Sequence, residues 1–242
     1  YAPNIIEILQ NVPPDIIKKF VISVYLIPIN FFSLSETLPQ YISTITTMLE
    51  SSDYPNDVKY YLIENIETFS MSNNRNQLLE DDEIIITIIQ SISNLFTLVE
   101  LDEDLFLTKV TKSLLLNMSK NFDSKFFDKN CLNLAAQNIE NENWTVRFSG
   151  LSIFDAISTE IEEKRLIKKV PLFVALIGDP SELCRMTVYK TLKRISVYKK
   201  DVFSTELSEL FFEALLDSMQ KETNPEIAIY GFKVLSKFCD NS

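Results

Sequence analysis

The amino-acid sequence predicts an all-α protein that is built as a solenoid of consecutive helix pairs. Three observations lead to this prediction: a scarcity of glycine, an apolar pattern that recurs at helical spacing, and a polar turn before each full copy of that pattern. Only 3 of the 242 residues are glycine. Doubly wound sheets, sandwiches and barrels use glycine at their turns and phosphate-binding loops, so this composition disfavours them.

Four segments carry apolar or small residues at one template, a first position followed by positions 4, 8 and 11 residues later. At 3.6 residues per turn these offsets place a single apolar stripe along a helix. The full copies are Val58-Leu62-Ile66-Phe69, Val146-Gly150-Phe154-Ile157, Cys184-Val188-Leu192-Ile195 and Ile227-Gly231-Leu235-Phe238. A partial copy, Phe106-Val110-Leu114, lies between the first and the second, so successive copies begin 38 to 48 residues apart.

A turn rich in Asp, Asn or Pro precedes each full copy. Asp and Asn commonly cap a helix N-terminus, and Pro is accepted in the first turn of a helix. The turns are 53–56, 141–143, 179–181 and 224–225. Another apolar-periodic run lies before each of the five copies, over 36–50, 83–99, 124–140, 163–177 and 204–220. Helix, short polar turn and helix with a period near 40 residues is the pattern of HEAT and armadillo repeats. The expected architecture is therefore an α-α superhelix of the HEAT or armadillo type.

The expected domain organisation is one HEAT solenoid over residues 1–242, because no segment has the composition of a linker. The approximate repeats are 1–34 (partial), 35–70, 80–120, 123–160, 162–200 and 204–240. The polar stretch near 71–80 is predicted to be an inter-repeat loop, and the start at Tyr1 without a methionine or signal-like segment suggests a fragment of a longer protein. Second helices should line the concave face and first helices the convex face, so that binding uses extended surfaces.

Catalysis, cofactors, metals and membrane insertion are not expected. The chain contains no histidine, the commonest general base and metal ligand, and no nucleophile–base motif is apparent. Cys131, Cys184 and Cys239 are too widely spaced for a zinc site or a disulfide framework and are predicted to be buried small hydrophobes. The most apolar stretch, 20–32, is shorter than the roughly 20 residues of a membrane span and is predicted to be a buried helix.

Charge is unevenly distributed along the chain. Residues 1–121 carry 7 basic and 16 acidic residues, net −9, whereas residues 122–242 carry 16 and 18, net −2. The acidic half should repel nucleic acid and attract basic partners. The acidic run 80–83 is predicted to begin a helix, where carboxylates interact favourably with the helix dipole. The run 100–104 should lie in the turn of a helix pair, either simply solvated or bound to a basic partner.

A basic strip is predicted on the second helices of the last two repeats. Most of it is interpreted as a solvated face, but together its residues could form a strip on the concave surface: Arg185, Lys190, Lys193, Arg194, Lys199, Lys200, Lys233 and Lys237. Such a strip would favour an acidic protein segment or a phosphate backbone. Aromatic residues interleaved for base stacking are missing from the sequence of this strip, which disfavours nucleic acid.

Residues 123–200 resemble the importin-β (karyopherin-β) family. The segment 139–147, Ile-Glu-Asn-Glu-Asn-Trp-Thr-Val-Arg, is similar to that family's Asn-x-x-Trp-x-x-Arg turn, with Trp144 just before a second helix and Arg147 within it. The segment 178–187, which contains Arg185, is similar to the Asp-Pro-Ser…Val-Arg-x-Thr sequence with which a second helix begins in that family. The end of the same helix, Lys193-Arg194-Ile195, is similar to the family's Gly-Arg-Ile. This specific likeness covers about a third of the chain.

The resemblance implies a segment of a nuclear transport receptor for protein import, present in cytoplasm and nucleus and at the nuclear pore. The implied partners are the Ran GTPase in its GTP form, a cargo or importin-α-like adaptor, and nucleoporin Phe-Gly repeats. An acidic loop of the family contacts Ran and basic cargo segments from the turn occupied here by Glu100, Asp102, Glu103 and Asp104. Four residues of first helices could form grooves for Phe-Gly repeats, unless they pack in the core: Phe126, Phe127, Leu172 and Phe173.

Lysines occupy two places where the family has tryptophans that grip the basic adaptor segment, namely Lys190 and Lys233. They favour an acidic cargo, or the alternative that the chain is a HEAT-repeat scaffold or adaptor of another assembly, such as a phosphatase scaffold, a condensin-type regulator or a vesicle-coat adaptor. The candidate partner-binding residues are Glu100, Asp102, Glu103, Asp104, Trp144, Arg147, Arg185, Lys190 and Lys233.

Overall fold

The computed structural model describes residues 2–13, 16, 17, 19, 38–71, 82–98, 105–122, 124–199, 202 and 207–241, and gives only the backbone for 2–5, 124, 207–210 and 238–241. Eleven helices lie in these ranges: α1 (Ala2–Asn11), α2 (Leu38–Glu50), α3 (Asn56–Met71), α4 (Asp82–Thr97), α5 (Phe106–Asn121), α6 (Ser124–Ile139), α7 (Trp144–Ile157), α8 (Glu163–Val174), α9 (Glu182–Tyr198), α10 (Leu207–Lys221) and α11 (Pro225–Asn241). No β-strand occurs in the described ranges. The all-α prediction is confirmed.

The helices alternate as the sequence pattern predicts. The first helices of the pairs are α2, α4, α6, α8 and α10, and each begins and ends within three residues of a predicted apolar run. The second helices are α3, α5, α7, α9 and α11, and they contain the template copies. The predicted helix at 20–32, the loop beyond Met71 and the acidic run 100–104 lie outside the described residues. Of the run 80–83, Asp82 and Glu83 form the first turn of α4, as predicted.

Polar turns start the second helices of the last three pairs. The Asn143 side chain accepts a hydrogen bond from the Thr145 backbone amide at 3.0 Å, and Ser181 caps α9 by accepting from Cys184 at 3.5 Å. Asn224 accepts from the backbone amides of the first turn of α11. These side chains satisfy amides that have no partner within the helix.

The second helix of the partial copy starts differently. Leu105, the residue before α5, provides no side-chain cap and adopts a left-handed backbone with φ of 54°. The predicted partial copy is right at Leu114, which is buried, but wrong at Phe106, which is 47% exposed, whereas Leu107 and Met118 are buried. The buried stripe of α5 thus begins at Leu107.

The full template copies define the buried faces of their helices. Val58, Leu62 and Ile66 are buried in α3, and all four template residues of α9 are buried. Val146 and Leu235 are only partly covered. Cys131 and Cys184 are buried, as predicted, whereas the side chain of Cys239 lies outside the described residues.

The chain divides into two compact units, 1–130 and 131–242. In the first unit α2 packs on α4 and α3 on α5, so first helices stack on first helices and second on second. In the second unit α7 packs on α9 and α9 on α11, while α10 packs on its pair-mate α11. This stacking of helix pairs in two layers is that of HEAT repeats.

Two glycines mark places where the helices of a pair approach closely. A Cβ atom on Gly150 of α7 would lie 2.6 Å from the Ala135 carbonyl oxygen of α6. A Cβ atom on Gly231 of α11 would collide with the Met219 side chain of α10. Both glycines occupy the second template position, so a small residue there permits a close helix crossing.

None of the helices in the described ranges combines the length and apolar character that crossing a membrane requires.

Candidate partner-binding surfaces

Arg147 connects the turns of two successive repeats. Its Nε and Nη2 atoms donate to the two carboxylate oxygens of Asp179 at 2.6 and 3.0 Å, and its Nη1 donates to the carbonyls of Asn141 and Glu142. Asn141 and Glu142 belong to the turn before α7, and Asp179 lies in the equivalent turn of the next repeat, before α9. The side chain of Arg147 is 13% exposed and that of Asp179 is 1% exposed.

Arg185 repeats this arrangement one repeat later. Its Nε and Nη2 donate to the carboxylate of Glu222 at 2.7 and 3.1 Å, and its Nη1 donates to the carbonyls of Asp179 and Pro180 in its own turn. The hydrogen bond from Arg185 holds the pKa of Glu222 below its usual value. We call these two arginines with Asp179 and Glu222 the turn ladder.

The turn ladder gives Arg147 and Arg185 a role inside the fold. Both were candidates for partner binding, yet in both guanidinium groups Nε, Nη1 and Nη2 donate to groups of the same unit. Bidentate arginine–carboxylate pairs with little exposure are among the stronger polar contacts in proteins. The sequence could have indicated the carboxylate partners, because an acidic residue occurs in each following turn at the repeat period.

Trp144 begins α7 and is partly exposed. Its backbone carbonyl accepts a contact from the Cys184 thiol at 3.6 Å. Burial, more than any neighbouring charge, raises the pKa of Cys184 to about 12, so this thiol stays protonated at neutral pH. Trp144 remains a candidate for partner contact through its accessible surface.

Lys59 holds the corresponding position in α3 but has a different environment. It is 3% exposed, its backbone amide donates to the Pro55 carbonyl at 3.2 Å, and its ammonium group has no hydrogen-bond or ion-pair partner among the described residues. A cavity of about 290 Å³ adjoins it, with this lining: Ser52, Tyr54, Pro55, Asn56, Leu95, Leu98 and Leu107. Burial lowers the pKa of the Lys59 ammonium group.

The acidic candidates for partner binding lie outside the described residues: Glu100, Asp102, Glu103 and Asp104.

Lys190 and Lys233 lie together with Lys193 around one aromatic ring. The Nζ atoms of the three lysines are 5.2, 5.2 and 5.8 Å, respectively, from the ring centroid of Tyr230. Lys190 and Lys193 belong to α9, and Tyr230 and Lys233 to its neighbour α11. We call these four residues the Tyr230 cluster. The sequence prediction of a basic strip missed its aromatic member, because Tyr230 lies 37 residues or more from the α9 lysines in sequence.

The residues proposed to form grooves for Phe-Gly repeats divide into two groups. Phe127 is buried and packs edge to face on Phe122, and Phe173 is buried and stacks on Phe154. Of the two alternatives that the sequence left open, core packing therefore holds for Phe127 and Phe173, and neither lines an open groove. Phe126 and Leu172 are partly exposed.

Comparison with known proteins gives matches in structure but not in sequence. No protein-family model matches the chain, and no curated protein sequence matches it significantly. The karyopherin Kap121p bound to the SUMO protease Ulp1p superposes with a TM-score of 0.82 and 13% identity, covering 98% of this chain and 25% of that chain. The chain has the HEAT-repeat fold of a karyopherin. Kap121p bound to RanGTP and Kap121p bound to Nup53p each match with a TM-score of 0.70 and 12% identity over 100% of this chain.

The karyopherin comparison concerns part of a longer molecule. The present chain spans about a quarter of the length of the Kap121p chains that it matches. At 12 to 14% identity the comparison establishes the fold, and one fold can serve many functions.

Proposed function

We propose that the chain is a segment of a karyopherin-type nuclear transport receptor, which binds protein partners and does not catalyse a reaction. The observation that carries this proposal is the karyopherin fold over the whole chain, with TM-scores of 0.70 to 0.82. The turns around Trp144 and Arg185 also resemble importin-β sequences. This resemblance is separate support, because it concerns the sequence of the turns and not the superposition of the fold. We further propose that residues 1–242 form one HEAT solenoid within a longer receptor.

The partners that we propose follow those of the similar structures. Kap121p has been crystallised with RanGTP, with Nup53p, and with Ste12p and Pho4p. We propose Ran in its GTP form, a cargo protein and nucleoporin Phe-Gly repeats as partners here, and a distribution over cytoplasm, nucleus and nuclear pore. Among the candidate groove residues, the accessible Phe126 and Leu172 are the ones that we retain for nucleoporin contact.

The acidic residues Glu100, Asp102, Glu103 and Asp104 are the proposed contact for Ran or for basic cargo segments. Their support is the local charge of the sequence, because the first half of the chain carries net −9 and an acidic turn attracts basic surfaces over about a Debye length. The three lysines of the Tyr230 cluster would repel the basic segment of an importin-α-like adaptor at that place. An adaptor of that kind is therefore a weaker proposal than a direct cargo.

Binding of Ran tests the proposed function. We expect the full-length protein to bind fluorescent Ran loaded with GTP at least about 100-fold more tightly than Ran loaded with GDP, a difference of about 2.7 kcal/mol. Fluorescence anisotropy at near-physiological salt measures both affinities. Equal affinities, or no binding, would refute the transport proposal.

A pair of charge-reversal variants tests the acidic contact. Asp102→Lys with Glu103→Lys should weaken Ran or cargo binding at least about tenfold, because it replaces attraction by repulsion. Asp81→Lys with Asp82→Lys changes the net charge equally at the other acidic run and serves as the matched control. An equal loss in both variants would indicate a general charge effect and contradict a specific contact.

The alternative function is a HEAT scaffold or adaptor of another protein assembly. The Tyr230 cluster favours it, because basic residues replace the tryptophans with which importin-β holds its adaptor. Absence of nucleotide-dependent Ran binding, together with retained binding of an acidic partner, would support this alternative.

A further inference from the structure

We propose that the Tyr230 cluster binds an acidic segment of a partner protein. The inference goes beyond the proposed function and does not depend on it, because an acidic segment could belong to a cargo or to a subunit of another assembly. It is based on the geometry, the charge and the exposure of Lys190, Lys193, Lys233 and Tyr230.

The geometry concentrates positive charge on a small area. The three Nζ atoms lie 5.2 to 5.8 Å from the same ring centroid, so any two of them are at most about 11 Å apart, which is close to the Debye length of about 8–10 Å at physiological salt. Solvent ions therefore screen their mutual repulsion incompletely. The electron-rich face of the Tyr230 ring attracts the ammonium groups and offsets part of this repulsion.

Among the described residues, the three lysines have no acidic partner of the kind that neighbouring arginines have. Arg185 of α9 pairs with Glu222, and Arg194 pairs with Asp155 at 3.0 Å. No hydrogen bond or ion pair joins Lys190, Lys193 or Lys233 to a carboxylate of the described residues. In a chain of net charge −11, three ammonium groups around one ring, none paired with a carboxylate of the described residues, indicate a local site for negative charge.

The Tyr230 cluster is accessible to a partner. Lys233 is exposed, and Lys190, Lys193 and Tyr230 are partly exposed. Because α9 and α11 are second helices packed side by side, the four residues project from two adjacent helices onto one surface. The carboxylates of an extended acidic segment can bind these ammonium groups and reduce the repulsion between the three lysines.

A carboxylate-rich peptide fits this site better than a nucleic acid does. Nucleic-acid binding generally engages a series of phosphates along a basic track, whereas this cluster spans only about 11 Å and belongs to an acidic chain. Two or three carboxylates within a short segment would match its charge.

Anisotropy with a labelled acidic peptide tests the proposal. The probe is a fluorescein-labelled peptide of alternating glutamate and glycine, added to the full-length protein at near-physiological salt. We expect binding to weaken at least tenfold when Lys190→Gln and Lys233→Gln are combined. The arginine variants Lys190→Arg and Lys233→Arg should retain binding, because they keep both positive charges.

Two controls decide between the outcomes. Lys164→Gln with Lys168→Gln removes two exposed lysines from α8 in the same unit and should leave peptide binding within about twofold of wild type. Absence of binding to the wild-type protein, or equal losses in the cluster and control variants, would overturn the proposal. A single-stranded oligonucleotide of equal charge that bound more tightly than the peptide would also overturn it, in favour of a phosphate ligand.

Peptide binding without preferential binding of Ran-GTP would support the Tyr230 cluster while refuting the transport function. The reverse result would leave the transport function standing and refute the cluster, so the two failures are distinguishable.

Discussion

At the scale of single residues, the second helices use one sequence position in two ways. The residue after the first template position is Arg147 in α7 and Arg185 in α9, where each guanidinium group joins two turns. The same position holds Lys59 in α3, a buried ammonium group beside a cavity. The basic character of the position is visible in the sequence, but its surroundings are not: described carboxylates pair with the two arginines, whereas a cavity adjoins Lys59.

Removing Arg185 should cost stability because Glu222 would remain buried without its partner. We expect Arg185→Met to lower the free energy of unfolding by about 1.5–3 kcal/mol, the range for hydrogen bonds to charged groups. Arg165→Met is the matched control, because Arg165 forms a more exposed pair with Glu162 at 3.8 Å and such pairs contribute about 0–1 kcal/mol. Urea unfolding of both variants measures the difference, and equal effects would contradict a structural role for the turn ladder.

The pH dependence of the same pair has a defined sign. Arg185 lowers the pKa of Glu222 in the folded state. On acidification the unfolded state therefore binds more protons than the folded state, and the free energy of unfolding decreases as the pH decreases. This contribution is present above the unfolded pKa of about 4.5 and is lost as the pH falls through the lower folded value. The loss of stability on acidification should therefore be smaller in Arg185→Met than in wild type.

Lys59 should behave in the opposite way to Arg185. Burial lowers its pKa, so charging it in the fold is unfavourable, and Lys59→Met should raise the free energy of unfolding at neutral pH by about 1 kcal/mol. Because the unfolded state holds the Lys59 proton more tightly, wild-type stability should rise relative to the variant as the pH increases toward about 10. Urea midpoints at several pH values measure this change, and the exposed Lys129→Met substitution is the control. A destabilised Lys59→Met variant would show that Lys59 has an anionic partner.

At the scale of the helices, the apolar template predicts where each second helix lies in the sequence better than it predicts which of its residues are buried. Apolar spacing locates all five second helices and, for the full copies, most of their buried residues. It misplaces the start of the buried stripe of α5 by one residue, because Leu105 starts this helix from a left-handed backbone and offers no side-chain cap. Without a capping residue to mark its beginning, Phe106 and Leu107 are equivalent in sequence, and only packing distinguishes them.

The close helix crossings allow two glycine positions to be compared. Gly150→Ala should lower the free energy of unfolding by about 2 kcal/mol or more, because its methyl group would meet backbone atoms of α6 that cannot easily move and strain of this kind typically costs about 1–3 kcal/mol. Gly231→Ala should cost less, because the atoms in the way belong to the side chain of Met219, and methionine side chains are flexible. Urea unfolding compares the two variants, and a Gly231→Ala variant that is the less stable one would contradict this explanation.

At the scale of the whole molecule, the repeat period carries more information than sequence identity. A period near 40 residues and two importin-β-like turns predicted the fold that the structures of Kap121p share at only 12 to 14% identity. The candidate site was less predictable. Phe127 and Phe173 have the same apolar character as accessible groove residues, and Tyr230 becomes part of a basic surface only because α9 and α11 are adjacent.

The turn ladder also has a consequence for cooperativity. Stacked repeats behave approximately as a one-dimensional array, in which each repeat is stabilised by itself and by its nearest neighbours. Each arginine of the turn ladder adds a polar contact between neighbouring repeats to the apolar contact between their helices. Asp179 takes part in both, because its carboxylate accepts from Arg147 and its carbonyl accepts from Arg185. Local opening of α9 would therefore release ties to the repeats on both sides, so that α7, α9 and α11 exchange their amide hydrogens as one unit.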